Sequence, residues 1–275
     1  MSESRAAIFA DLHCHSLYSD GVDRADEVAR KAAAAGLKAV ALTDHDTTEG
    51  WDEFSESARS CGVEPIPGIE VSATHGREVH VLGLFIDPRD AAIRVYAKSR
   101  RDARGARVRR ICARLAELGM RVDGNEIVAK AGCNAGRPHV ARALVAAGHA
   151  SSVSQAFQKW LGDGRPAYVE YERIAAVDAI AMIRSAGGLA SLAHPGLTDV
   201  DRHMAGLVAA GLGAIEAYHA DHTGATAARY VRLAATLGVC VTGGSDRHGD
   251  ESPGRHVFGS AGLIADDFRQ LVARR

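Results

Sequence analysis

The chain has 275 residues, 47% hydrophobic and 24% charged, enough to bury a full core, which excludes a minimal scaffold held by staples. Lys and Arg number 33 against 34 Asp and Glu, a formal net charge of -1, so no global field draws the protein to nucleic acid or membrane and any polyanion must be recognised locally. No run approaches the roughly 20 apolar residues of a membrane span and no apolar leader opens the chain, so a cytoplasmic location without a membrane partner is expected.

The five cysteines, Cys14, Cys61, Cys112, Cys133 and Cys240, form no C-x-x-C pair, which argues against a thiolate zinc site or a disulfide framework. Histidine is the unusual residue. Thirteen are present, many beside Asp, Glu or Gly at the ends of apolar runs, and that distribution raises a metal hypothesis.

In chain order, residues 8–10 read as a strand running into Asp11-Leu12-His13-Cys14-His15, where residues two apart face the same side, so His13 and His15 converge with Asp20 just beyond. Residues 23–36 are Ala-rich, acidic at the start and stopped by Gly36, a helix with its cap. A strand over 37–42 ends in Thr43-Asp44-His45-Asp46; a helix over 49–60 leads to a strand ending at Glu70; and a strand over 78–85 carries His80 near its start. Strands alternating with helices predict a parallel sheet or barrel, whose functional groups collect at the C-terminal strand ends, a rule that His80 alone strains.

The pattern changes at residue 91. Val108, Ile111, Leu115 and Leu118 recur at helical spacing, so 91–118 reads as one long amphipathic helix whose other face carries Arg100, Arg101, Arg104, Arg107, Arg109, Arg110 and Arg114. That face is expected to be solvated or paired with acids, with RNA steering as the sharper alternative. Asp123, Pro138 and Ser152 or Ser154 open three shorter helices. The expected organisation is therefore an α/β barrel from 1–97 and 167–275, with an inserted helical subdomain over 98–166. Alternation resumes with strands ending at His194, at Glu216 to His219, and at Ser245-Asp246-Arg247-His248, before a closing helix over 265–273.

Gathered from the strand ends, His13, His15, Asp20, His45, Glu70, His80, His194, Asp246 and His248 are too many ligands for one ion and suit two or three that share a carboxylate. Asp11, Asp44 and Asp46 are read as residues that orient the ligands. Asp20 has a second reading, as a general acid, and with His194 and His248 forms the catalytic candidates. Arg137, His139, Arg165 and, more weakly, Asn134 are the substrate-binding candidates, since they lie where the insertion returns to the barrel and arginine suits phosphate. The glycines of 132–136 lack the G-K-[ST] ending of a P-loop.

DLHCHS, TDHD, PGIE, EVHVLG, AHP and GSDRH, in this order between residues 11 and 248, resemble the motifs of the PHP (polymerase and histidinol phosphatase) phosphoesterase family. GRPHVARALV and GRPAYV resemble, less specifically, its bacterial branch acting on 3',5'-bisphosphonucleotides and on short RNA from the 5' end. The resemblance implies a distorted (β/α)7 barrel. It implies a first metal on His13, His15, Glu70 and Asp246, a second sharing Glu70 with His80 and His194, and a third on Asp20, His45 and His248. Mn²⁺, Fe²⁺ or Zn²⁺ would serve, Mn²⁺ first, and a metal-bound hydroxide would attack phosphorus. The expected activity is removal of the 3'-phosphate of a 3',5'-bisphosphonucleotide, extending to short RNA. A histidinol-phosphate type of metabolite phosphatase and a non-catalytic, metal-stabilised interaction module are the rivals; no obligate protein partner is evident.

Overall fold

The computed structural model describes residues 7–131, 135–249 and 256–275, which divide into two compact units, residues 1–95 with 173–275 and residues 96–172. The first unit is built on β1 (Ala10–Asp11), β2 (Ala39–Leu42), β3 (Glu64–Thr74), β4 (Glu78–Leu84), β5 (Ile174–Ala175), β6 (Leu189–Leu192), β7 (Ala214–His219) and β8 (Cys240–Gly244). The strands pair in the order β1-β2-β3-β4-β6-β7-β8, with β5 added beside β3. Leu12 N–H donates to the Gly243 carbonyl and Asp246 N–H to that of His13, bringing the two ends of this order together, so the sheet is a nearly closed barrel of seven strands.

Alternation along the strands sorts side chains into two layers. Ala10, Leu12, Ala39, Ala41, Ile66, Leu82 and Leu84 share one apolar cluster, which also takes Leu263 and the Phe268 and Leu271 side chains of the closing helix. Val40, Leu42 and Cys14 face the other way, under α1 (Ala25–Ala34) and α2 (Trp51–Ser60), where Val28, Ala32 and Phe54 cover them. Cys14 thus points away from the two histidines that flank it, and its thiol donates to the Ala41 carbonyl.

Two departures from the sequence expectation matter for the site. The sheet is not wholly parallel, because β4 runs antiparallel to both β3 and β6. The start of β4 therefore lies at the same end of the barrel as the C-terminal ends of β3 and β6, and His80 obeys the strand-end rule that it had strained. Nor does β3 stop at Glu70: it runs on to Thr74, held by β4 on one side and β5 on the other, so Glu70 sits inside a strand.

In the second unit, α3 (Ala91–Glu117), whose first turn belongs to the barrel unit, is followed by α4 (Gly124–Ala131), α5 (Arg137–Ala146) and α6 (Val153–Ala156), the last continued by a π turn over Phe157–Leu161. Val108, Ile111, Leu115, Ile127, Val140, Leu144 and Leu161 form a core of its own. Asp123 accepts from the N–H groups of Asn125 and Glu126, and Ser152 from that of Gln155, capping α4 and α6.

Gly244 shows how tightly β8 closes on the start of the chain. A Cβ there would lie 2.3 Å from His13 Cβ and 2.5 Å from its backbone nitrogen. Gly244→Ala is expected to force the His13 backbone away and to cost about 1–3 kcal/mol. Urea unfolding of the metal-free protein reads this; an unchanged midpoint would contradict the close packing.

Candidate metal centre

One end of the barrel carries all nine ligand candidates. The chain leaving β1 brings His13 and His15, β2 leads into His45, β3 carries Glu70, β4 opens with His80, β6 leads into His194 and β8 into Asp246 and His248. Asp20 comes from the turn after His15. Three non-glycine residues here, Asp46, His194 and Asp246, have positive φ angles of 56°, 29° and 50°. Such conformations cost about 1–3 kcal/mol each and persist where surrounding contacts hold them.

Glu70, 1% exposed, is the centre of the arrangement. Its Oε2 lies 3.2 Å from His13 Nε2, 3.2 Å from His15 Nε2 and 3.1 Å from His45 Nδ1. Its Oε1 lies 2.9 Å from His80 Nδ1 and 3.2 Å from His194 Nε2. Asp246 Oδ1 approaches His15 Nε2 at 3.1 Å and His13 Nε2 at 3.3 Å. Further out, Asp20 meets His248 Nε2 at 3.1 Å and His45 Nε2 and His15 Nδ1 at 3.7 Å. Among the described residues, groups able to hold an ion are His13, His15, Glu70 and Asp246; His45, Glu70 and His80; His15, Asp20, His45 and His248; and His13, Glu216 and His219. His45 thus reaches Glu70 as well as Asp20, a sharing the sequence reading did not contain.

The donor set fits cations on a physical test. His13 Nε2, His45 Nδ1 and Glu70 Oε2 are buried and find no hydrogen-bond partner, although buried polar atoms are nearly always paired. Both nitrogens face Glu70 Oε2, and cations held in the group of His13, His15, Glu70 and Asp246 and in that of His45, Glu70 and His80 would satisfy them.

Outer contacts decide which nitrogen each ring presents. Ser19 Oγ donates to Asp44 at 2.6 Å, so it accepts from His15 Nδ1 and makes Nε2 the nitrogen that His15 would present to an ion. His248 Nδ1 donates to the Asp246 carbonyl, leaving Nε2 toward Asp20. Asp11 accepts from the His13 and Ser245 N–H groups, Asp44 also from Ser16 N–H and Oγ, and Asp46 from Ser72 N–H. These three acids therefore fasten loop backbones, and Asp44 also reaches a ligand ring, through Ser19. Arg247, between two ligand candidates, is buried and bonds Asp23 at 2.6 Å, fixing the Asp246–His248 turn against the start of α1.

Burial and charge oppose each other throughout. Burial pushes the Glu70 carboxyl up, but His45, His13 and His80 hold it well below the usual range. Asp246 is held low in the same way, against its burial, by His13, His15 and His219, and Asp20 by His248, His45 and His15. Burial depresses His15 and His80, yet Asp246 and Glu70 lift His15, and Glu70 and Glu78 lift His80, each to about 10. His45 goes to about 4, because burial and the neighbouring His15 and His80 outweigh Glu70. Without metal, protonated His15 and His80 offset the buried carboxylates.

The substrate candidates belong to the helical unit. Arg137 bonds Asp163 at 2.7 Å and the Leu161 carbonyl, with its guanidinium over Phe157 and Tyr168. Arg165 is exposed, and His139 lines a cleft of about 480 Å³ with Arg121, Lys130 and Arg142. Asn134 lies outside the described residues. Part of the arginine face of α3 turns to the returning segment, while Arg101, Arg109 and Arg110 are exposed. Arg100, Arg107 and Arg114 donate to the carbonyls of Glu172, Val169 and Tyr168, and Arg100, Arg104 and Arg107 lie over Tyr171. They pin the returning segment to the helix.

A family model described as the PHP domain matches residues 11–170. The chain is 35% identical to the 3',5'-nucleoside bisphosphate phosphatase of Chromobacterium violaceum, covering 96% of each chain. It is 36% identical to the phosphoribosyl 1,2-cyclic phosphate 1,2-diphosphodiesterase of Eggerthella lenta, covering 90% of this chain and 97% of that one. A solved structure from Bifidobacterium adolescentis, assigned as a metal-dependent phosphoesterase, superposes with a TM-score of 0.82 at 31% identity, covering 98% of this chain and 96% of that one. No helix among the described residues is long and apolar enough to cross a membrane. The chain belongs to the PHP family and is a metal-dependent phosphoesterase.

Proposed function

We propose that the protein removes the 3'-phosphate of 3',5'-bisphosphonucleotides, using two or three divalent ions, Mn²⁺ first among the candidates, and that short RNA is a further substrate at its 5' end. The observation that carries the reading is the division of labour at Glu70: one oxygen faces His13, His15 and His45, and the other faces His80 and His194. A carboxylate flanked by imidazoles on both oxygens is suited to bridging two ions. The relative from Chromobacterium violaceum, aligned over nearly its whole length, supports the substrate class.

The first ion falls to His13, His15, Glu70 and Asp246, the second to Glu70, His80 and His194, and the third to Asp20, His45 and His248. When bound, the ions offset charge on the phosphoryl oxygens and acidify a water for attack. The chain's own groups do the rest. His13, His15 and Glu70 are sealed from water, whereas Asp20 and His248 stand at the solvent side, so the phosphate enters over those two. Asp20 Oδ1 and His248 Nε2, 3.1 Å apart, would hold the third ion; in the alternative reading, with no ion there, the pair would instead deliver a proton to the departing oxygen. Ser16 and Ser19 donate their hydroxyl protons to Asp44, not to a histidine, which removes them as nucleophiles. Arg137 and Arg165 are assigned to the second phosphate. Arg137, pre-set by Asp163 and two aromatic rings, is the stronger of the two.

The 1,2-cyclic phosphate named for the Eggerthella lenta relative is a second reading, at the same level of identity. Turnover of a 3',5'-bisphosphonucleotide, its 3'-monophosphate and histidinol phosphate, read as phosphate release, and of a phosphoribosyl 1,2-cyclic phosphate, read as ring opening to a monoester as well as phosphate release, separates the readings. Chelation is expected to abolish turnover and Mn²⁺ to restore it, with the bisphosphonucleotide preferred; no turnover of any ester after Mn²⁺ would contradict the proposal. Arg137→Ala should raise KM for the bisphosphonucleotide about tenfold, about 1.4 kcal/mol, and leave the monophosphate less affected.

The raised His15 and His80 give a pH prediction. Both are protonated at pH 7.5 without metal, and ligation needs the neutral ring, so loading releases protons and affinity falls as pH falls. Calorimetric Mn²⁺ titrations in two buffers of different ionisation enthalpy should give different apparent heats; identical heats would contradict it.

A further inference from the structure

Glu216 and His219 lie three residues apart on β7, a spacing that in a regular strand sends side chains to opposite faces. The register of β7 on β8 shifts between them: Glu216 pairs with Thr242 and Tyr218 with Gly243, so Ala217 is an extra residue. This bulge turns His219 to the side of Glu216, and both end fully enclosed, at 3% and 0% exposure.

Their bonds show what they do there. Glu216 Oε1 accepts from His13 Nδ1 at 3.0 Å, which makes Nε2, facing Glu70 and Asp246, the nitrogen that gives up its proton when an ion is bound. Its other oxygen accepts the His194 N–H at 2.7 Å, bracing the residue whose φ is 29°. One carboxylate thus fixes the ring of one ligand candidate and the backbone of another. His219 Nδ1 accepts the N–H of Asp221 at 3.1 Å, so the ring proton sits on Nε2 and points to Asp246 Oδ2 at 3.4 Å. Asp246 is left with Oδ1 turned toward His13 and His15.

We propose that Glu216 and His219 are positioning residues, set by the β7 bulge, that aim His13, His194 and Asp246 at the first two ions and do not themselves hold a further ion. His13, Glu216 and His219 lie close enough together to be read as an ion site, but the hydrogen bonds occupy their facing atoms. The inference rests on the metal reading above.

The test is metal binding, not turnover. Wild type, E216Q, H219A and H219Q are stripped, dialysed against excess Mn²⁺ for ions per chain, and titrated for affinity. A carboxylate accepts on both oxygens and an amide on one, so E216Q is expected to weaken Mn²⁺ about 10–100-fold, with the number of ions at saturation unchanged. H219A should behave alike, and H219Q, whose amide N–H reaches Asp246 Oδ2, should recover most of the affinity. Unchanged affinity in E216Q and H219A would overturn the proposal. So would one ion fewer at saturation in both H219A and H219Q, which would make His219 a ligand. Should H219A fail to fold, the contrast of H219Q with the shorter H219N decides in the same terms. A wild type that binds no Mn²⁺ would instead defeat the metal reading.

Discussion

A single buried carboxylate sets the terms for the rest of this molecule. Glu70 has almost no contact with water, and an ionised carboxylate in such a place is strongly unfavourable unless cations or donors surround it. The protein surrounds it with imidazoles drawn from strands distant in sequence: His13 and His15 from the first, His45 from the second, His80 from the fourth and His194 from the sixth. No local segment can do this. Only a sheet curled until its first and last strands meet can deliver these groups to one point, so the closed barrel and the site depend on each other. The left-handed backbone at Asp46, His194 and Asp246 marks where the chain is bent to reach that point.

The electrostatics follow from the same constraint. Without metal, protonated His15 and His80 balance Glu70 and Asp246, and the cluster is neutralised by protons in the places ions would take. Ion binding is then an exchange of cations at a site already paid for by the fold. The outer bonds, from His15 to Ser19 and from His13 to Glu216, fix which nitrogen of each ring faces Glu70, so the orientation does not have to be assembled when an ion arrives.

Much of this was legible in the sequence because most ligand candidates, His80 and Asp20 apart, follow an apolar run, and a run followed by His or an acid is a strong local signal. The β/α alternation, the helical insertion and the motif order are local patterns of the same kind. What escaped is non-local. That β4 runs antiparallel is a matter of strand pairing, which no periodicity in residues 78–84 records, and so His80 looked misplaced. The bulge at Ala217 is one unpaired residue in an otherwise regular strand, and without it Glu216 and His219 could not be assigned to one side. The bonds of Arg100, Arg107 and Arg114 on α3 were not legible because their partners are the backbone carbonyls of residues 168–172, and carbonyls leave no trace in composition.

The central claim is that Glu70 joins two ions through its two oxygens. Anomalous diffraction from Mn²⁺-loaded crystals addresses it directly. The account predicts two separate peaks, each within about 2.5 Å of a different Glu70 oxygen, one beside His13 and His15 and the other beside His80 and His194. A map with no peak at that distance from Glu70, or with one ion alone held by both oxygens, would contradict it.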